Sequence, residues 1–326
     1  MGCNFDAHAL HVMETVENGA SARSRLAASW ARSMQTHHLD PSRRQRPERL
    51  AARHLADLRA QQEELLRAAG NSLDQLTQAV QHAGCVVLLA DHKGRILDHR
   101  YHMADAEVFD AVGLVSGGDW SEAAEGTNGI GTCLSEERPL TIHRDEHFSA
   151  RNIAMTCLSA PIHGAQGDLL AVVDVSSARE AQSPVANEMI GALVQHTAQQ
   201  IELVLFQTAF PNARMVLADP QSLRSGFLAV DADDIVLGAT HGARRNFGLQ
   251  LRGALAPRPL HDTLGQDRER SGFEKAEYAA LKTALIRAGG NASAAARALG
   301  VSRATLYRRM KRVGLSPTDL DLQRPA

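Results

Sequence analysis

The residues with the most legible chemistry lie in "GGNASAAARALGVSRATLYRRMKRVGL", Gly289 to Leu315. From Arg297 to Arg312 every charged residue is basic: Arg297, Arg303, Arg308, Arg309, Lys311 and Arg312. Guanidinium and ammonium groups neutralise phosphates, and arginine also reads base edges through paired donors. Charge alone would be poor evidence, because an ordinary solvated helix has the same composition. Here it sits in a more specific frame. Asn291 is placed to cap a short helix, "ASAAARAL", whose small residues let another helix approach; Gly300 supplies a tight turn and Ser302 caps the next helix. That is helix-turn-helix spacing, in which the second helix enters the major groove with its N-terminal residues toward the bases. Leu299, Val301, Leu306 and Met310 are expected in the core, leaving Ser302, Arg303, Thr305, Tyr307 and Arg308 outward. Upstream, "EKAEYAALKTALIRA" puts Tyr278, Leu281, Leu285 and Ile286 on one expected helical face.

These groups need a scaffold, and the composition supports one. The chain has 326 residues, 44% of them hydrophobic, so two or three domains with sizeable cores are expected, and its formal net charge of -2 makes the basic run a local feature. No window approaches the roughly 18 consecutive apolar residues of a membrane span. The start lacks a basic segment followed by an apolar run, and Asp6 stands where a myristoylation signal has Ser or Thr. No membrane partner and a cytoplasmic location are therefore expected. Cys3, Cys85, Cys133 and Cys157 are scattered singly, without the paired spacing of zinc or redox sites, so reduced thiols and no metal cofactor are expected.

From Ser21 to His82 the chain is rich in helix formers, broken at "DPSRRQRPERL", where Pro41 and Pro47 should end one helix and the next should start just after Pro47. "CVVLLADHKGRILDH" reads as a hairpin turning at His92 to Gly94, and "LSAPIHGAQGDLLAVVDVSS" repeats the pattern. An antiparallel sheet with packed helices, an α+β fold, follows. Ser183 and Pro184 open an amphipathic helix reaching Phe206, expected to lead away from the sheet as a connector. Gly226 to Gly248 gives strand, acidic turn, strand and short helix, in a stretch too short for a second complete sensory domain.

The C-terminal segment "GNASAAARALGVSRATLYRRMKRVGL" resembles the DNA-binding region of Fis and of the C-termini of sigma-54 activators. The resemblance implies a homodimer on double-stranded DNA with one recognition helix per half-site. Carried over by position, it makes Arg303 and Arg308 the leading contacts, with Ser302, Thr305 and Tyr307 beside them; Lys311 and Arg312 complete the candidate set as phosphate binders. "SRLAASWARSM", "LDPSRRQRPERL", "EGTNGIGTCL", "DEHF" and "LSAPIHGAQGDLLAVVDVSS" resemble the sensory half of acetoin-catabolism activators, from about Ser21 to Ala209. This implies a ligand-sensing GAF domain, and "LAVDADDIVLGAT" looks like a shortened PAS-type module. The expected organisation is a helical lead-in at 1–70, a GAF domain with its connecting helix at 71–210, a shortened PAS-like segment at 211–265, a linker at 266–273 and the Fis-type helix-turn-helix at 274–318. The departure is that no GxxxxGK[ST] loop occurs, so the ATPase that those activators place before their helix-turn-helix has no recognisable phosphate cradle here.

Within the sensor, Trp120, Asn128, His143, His147, Phe148 and Cys157 are the candidate ligand residues, since apolar walls with a few polar groups make pockets. Each has a structural alternative: Trp120 in the core, Asn128 as a cap, the histidines in local hydrogen bonds. The expected function is an effector-responsive, sequence-specific DNA-binding transcription regulator without catalytic residues or ATPase activity, whose partners include an unidentified small molecule and extend to RNA polymerase or related activators. Two alternatives are a GAF-type thiol enzyme resembling methionine sulfoxide reductases and a non-ATPase modulator of full-length sigma-54 activators.

Overall fold

The computed structural model describes residues 2–22, 24–43, 47–178, 183–218, 226–264 and 272–315. The expected linker lies outside them except for Gly272 and Phe273, as do positions 316–318 of the expected C-terminal domain. Two compact units are present, Met1–Leu260 and His261–Ala326.

The first unit begins with helices α1 (Gly2–Glu17) and α2 (Arg25–Ala31), the latter continuing as a π-helical turn to Thr36. Val12, Val16, Trp30 and Phe148 close a small core that docks this lead-in. The next helices are α3 (Ala52–Gln61) and α4 (Glu63–Val80). The start of α3 at Ala52, rather than just after Pro47, has a local cause. Residues 48–50 instead pair with a loop of the sensor: the Leu50 N–H donates to Gly117 O at 2.8 Å, and Glu48 O accepts from the Asp119 N–H at 2.9 Å.

The sensor sheet contains β1 (Cys85–Asp91), β2 (Ile96–Arg100), β3 (Leu140–His143), β4 (Thr156–His163) and β5 (Leu169–Ser177) in the order β2-β1-β5-β4-β3, all pairs antiparallel. Alternate residues feed two cores. Val87, Leu89, Leu158, Val173 and Val175 face one side, while Val86, Leu88, Ala90 and Cys157 face the other. On the second side lie α5 (Ala106–Val112), α6 (Glu122–Glu125) and α7 (Gly129–Glu136). On the first lie α4 and the long helix α8 (Pro184–Ala209), capped by Ser183 as its sequence indicates. The expectation that this helix leads away from the sheet is corrected. Ile190, Val194, Ala198, Ile201 and Leu205 are buried with Leu65, Leu73 and Leu76 of α4, because the first face of the sheet is apolar and α8 covers it.

A smaller antiparallel sheet follows: β6 (Arg214–Leu217), β7 (Phe227–Val230), β8 (Ile235–Ala239) and β9 (Arg258–Pro259), with α9 (His241–Asn246) after β8. Arg244 of α9 is buried, and its guanidinium donates to the carbonyls of Ala239, Gln250 and Gly253 at 2.8, 2.8 and 2.9 Å. One turn, α10 (Leu260–Thr263), comes next. The second unit contains α11 (Gly272–Arg287), α12 (Ala292–Ala298) and α13 (Arg303–Arg312) around Leu281, Leu285, Ala295, Leu306 and Met310. Ile286 departs from the expected buried face and is 51% exposed, since it lies a further 100° round the helix from Leu285.

Arg244→Met should strand three carbonyls and cost about 2 to 4 kcal/mol. Amide exchange should show the lost protection confined to residues 226–264 of the small sheet, whereas uniform loss across the chain would contradict this role.

Candidate functional site

In the second unit the caps are made by the residues that the sequence marks for them. Asn291 Oδ1 accepts from the N–H groups of Ser293 and Ala294 at 3.0 and 3.2 Å. Gly300 turns the chain at φ +65°, and Ser302 Oγ accepts from the Thr305 N–H at 3.1 Å. With Leu306 and Met310 held in the core, Ser302, Arg303, Tyr307, Arg308, Lys311 and Arg312 are exposed, and Thr305 is half-buried. The Arg303 guanidinium lies 5.7 Å from the Tyr307 ring centre, so charge and aromatic surface are presented together at the start of α13. At its other end Arg312 is joined to Glu277 of α11, and Arg309 Nε is 3.5 Å from the same carboxylate. The exposed cations of this segment not held by Glu277 are Arg297, Arg303, Arg308 and Lys311.

The six candidate residues of the sensor are placed as follows. Trp120 packs with Phe109, Leu114, Ile130 and Met155, and its Nε1–H donates to Gly113 O at 3.0 Å. Asn128 caps α7: its Oδ1 accepts from the Gly131 N–H at 2.9 Å and its Nδ2 donates to Gly126 O at 2.8 Å. Phe148 belongs to the lead-in core. His143 is exposed on β3, its Nδ1 2.9 Å from Thr156 Oγ1. His147 is fully buried, with Nδ1 2.9 Å from Arg144 O and Nε2 3.3 Å from Cys157 Sγ. Burial drives its imidazolium pKa down to about 4, which leaves a neutral ring. The Cys157 thiol accepts from the Ser176 hydroxyl at 3.1 Å, and burial pushes its pKa far up. The structure therefore brings His147 and Cys157 together and leaves His143 apart from them. Among the described residues no group of three or more His, Cys, Asp or Glu side chains is arranged to hold a metal ion.

Two acids that sequence reasoning passed over organise this region. Asp174 on β5 is buried and accepts from the Ser159 and Ser176 hydroxyls at 2.5 and 2.6 Å. A Cβ on Gly129 would lie 2.5 Å from Cys157 Cβ and 2.7 Å from Asp174 Oδ1. The glycine in "GTNGIGT" is thus required for α7 to reach the sheet. The available signal was a lone acid inside the apolar run "LLAVVDVSS". Glu122, also buried, accepts from Ser29 Oγ at 2.5 Å, Arg32 Nε at 3.0 Å and Ser135 Oγ at 2.9 Å. Burial alone would push its carboxyl up, but Arg32 and the hydroxyls outweigh it and hold the pKa below its ordinary value. This ion pair ties α2 to α6.

Comparison with known proteins agrees with the two units. Residues 63–205 match the GAF domain family, and residues 272–312 match the Fis family of bacterial regulatory proteins. The chain carries a GAF domain and a Fis-type helix-turn-helix. The acetoin catabolism regulatory protein of Cupriavidus necator is 31% identical over 247 residues, covering 73% of this chain and 36% of that protein. The acetoin dehydrogenase operon transcriptional activator AcoR of Bacillus subtilis is 31% identical over 51% of this chain and 27% of its own length. The propane 2-monooxygenase operon transcriptional activator MimR of Mycolicibacterium smegmatis is 28% identical over 66% of this chain and 36% of its own length. The chain spans about a third of the length of these relatives. The crystal structure of the E. coli DhaR(N)–DhaL complex shares the fold, with a TM-score of 0.51 at 14% identity over 73% of this chain and 81% of that one.

Burial raises the Asp174 pKa from 3.8 to about 6. As pH rises through this window the unfolded chain releases its proton first, so the residue progressively lowers stability, fully so above about pH 6. Asp174→Asn, which can still bond both serine hydroxyls, should gain about 2 to 3 kcal/mol in stability at pH 8 relative to its effect at pH 4. Denaturant unfolding at the two pH values measures this; equal effects would contradict a buried, pKa-raised carboxyl.

Proposed function

We propose that the chain is an effector-responsive, sequence-specific DNA-binding transcription regulator that acts without ATP hydrolysis. The observation that carries this reading is a Fis-type helix-turn-helix with Arg303, Arg308 and Lys311 exposed on α13, in one chain with a GAF domain. The names of its relatives as regulators and activators of transcription support it. Arg303 and Arg308 reach bases or nearby phosphates, Ser302, Thr305 and Tyr307 frame them, and Lys311 meets the backbone. Arg312 exchanges Glu277 for a phosphate when DNA binds. The sequence contains no GxxxxGK[ST] loop, so DNA occupancy itself is the output. An effector changes that occupancy only through unequal affinity for the DNA-competent and incompetent states. Its binding site includes a part of the sensor, where Trp120, Asn128, His143, His147, Phe148 and Cys157 shape the domain.

The working form is a homodimer in the cytoplasm. Its support is Phe273, 93% exposed on α11, beside a groove of about 370 Å³ that Ala276, Ala280, Leu281 and Val301 line together with Glu277, Arg309 and Arg312. A second copy would cover the Phe273 ring. The thiol-enzyme alternative is disfavoured, because burial pushes the thiols of Cys133 and Cys157 up and leaves little thiolate.

Arg303→Ala should reduce discrimination at one base position by about 1 to 3 kcal/mol. Lys311→Ala should weaken binding to all sequences alike and lower the salt slope by about one. Competition binding with specific and random duplexes distinguishes the two; an equal loss on both duplexes for Arg303→Ala would refute its role as a reader.

A further inference from the structure

Between β4 and α8 of the sensor and β7 and α9 of the small sheet lies a cleft of about 460 Å³, in which the rings of His163 and His241 stack with centres 3.7 Å apart. Their unpaired nitrogens are covered by protein and present nothing to a ligand. A second cavity, of about 130 Å³, is different, because its charged groups are accessible. It lies between α2, α7 and the edge strand β3, and it opens to solvent at the exposed Arg25 and Thr141. Leu26, Leu140 and Ile142 give it an apolar wall. The buried hydroxyls that line it are already committed: Ser29 Oγ donates to Glu122 at 2.5 Å and lies 2.7 Å from Thr127 Oγ1, and Thr132 Oγ1 donates to Glu122 at 3.4 Å. The charges therefore decide what binds.

Two of the four charged side chains in the lining satisfy each other, Arg138 Nη2 lying 2.5 Å from Glu136 Oε2. The other two do not. Among the described residues no hydrogen bond or ion pair engages the Arg25 guanidinium, and the Glu146 carboxylate receives only the His143 N–H, at 2.7 Å, and no cation. Arg25 also stands in a poor place for its own helix. It is the first residue of α2, whose first turn carries no acid, and a cation at that end opposes the helix dipole. A charge that local rules disfavour and that nothing nearby neutralises is a common mark of a functional position.

This pair restricts the ligand. A plain carboxylate would answer Arg25 and set a like charge beside Glu146, and an amine would do the reverse; a zwitterion answers both. Size restricts it further. A cavity of about 150 Å³ holds a benzene, so this one takes a molecule of about six heavy atoms. We propose that the cavity is a binding site for a small α-amino acid, whose carboxylate meets Arg25, whose ammonium meets Glu146 and whose short side chain lies on Leu26, Leu140 and Ile142. Arg25 belongs to the lead-in and Glu146 to the sensor, so the bound molecule joins the two. Binding at this site does not rest on the regulator reading above.

The test is a calorimetric titration of the full chain with L-alanine, against propanoate, which lacks the ammonium, and ethylamine, which lacks the carboxylate. Nitrogen-15 spectra of the arginine Nε–H groups locate the binding, the Arg25 signal being assigned by its loss in Arg25→Gln. L-alanine is expected to bind saturably and shift the Arg25 signal, with each control roughly tenfold weaker or more. Arg25→Gln and Glu146→Gln should each lose roughly tenfold or more in affinity. Gln at 146 still accepts from the His143 N–H, so the second loss reports charge rather than folding. Absence of binding, a control that binds as tightly as L-alanine, no shift at Arg25 on saturation, or undiminished affinity in either folded variant would each overturn the proposal. If a variant does not fold, the ranking of the three ligands by the unsubstituted chain and the location of the shift still decide. No readout involves DNA, so failure here and failure of the regulator reading are separable.

Discussion

The sensor depends on how closely α7 approaches the sheet. Gly129 brings the helix start against Cys157, Ser159 and Asp174, at a separation that no side chain can occupy without displacing one of them. That approach lets Asn128 cap the helix, buries Asp174 under it and seals the second core. It also sets Glu122 of α6 beside Thr132 and Ser135 of α7, so the Arg32–Glu122 pair docks the lead-in on the same assembly. One close packing contact thus holds together elements far apart in the chain. In this state the second side of the sheet is filled by side chains, and the larger open space lies where the sensor meets the small sheet.

The long helix α8 has a comparable role on the opposite side. Its apolar stripe covers the first face of the sensor sheet, and its Glu202 holds His163, which lines the cleft. That cleft is bordered by both the sensor strand β4 and the helix α9 of the small sheet. The DNA unit has its own core and its own caps, so its recognition helix is held by contacts within that unit.

What the sequence made legible was local. The helix-turn-helix could be read because Asn291, Gly300 and Ser302 act on neighbours a few residues away, and the hairpins because β1, β2, β4 and β5 alternate around turns. The start of α8 was visible in Ser183 and Pro184. Its path was not, since covering the sheet depends on which strands pair. The short strands β3, β6 and β9 give too little alternation to detect. His163 and His241 carry no local pattern that would join them, and Asp174 reads as an ordinary strand acid until Gly129 is seen above it. The exposed face of α13 was readable for the same reason that its caps were: helical periodicity fixes both.

Sequence-selective DNA binding is the output proposed for the C-terminal domain of this chain. The most direct measurement is competition binding of the full chain to a library of genomic fragments over a series of salt concentrations. A small set of fragments retained against excess random DNA, with log affinity falling linearly with log salt, is the predicted result. Retention of all fragments alike, or of none at any salt concentration, would contradict it.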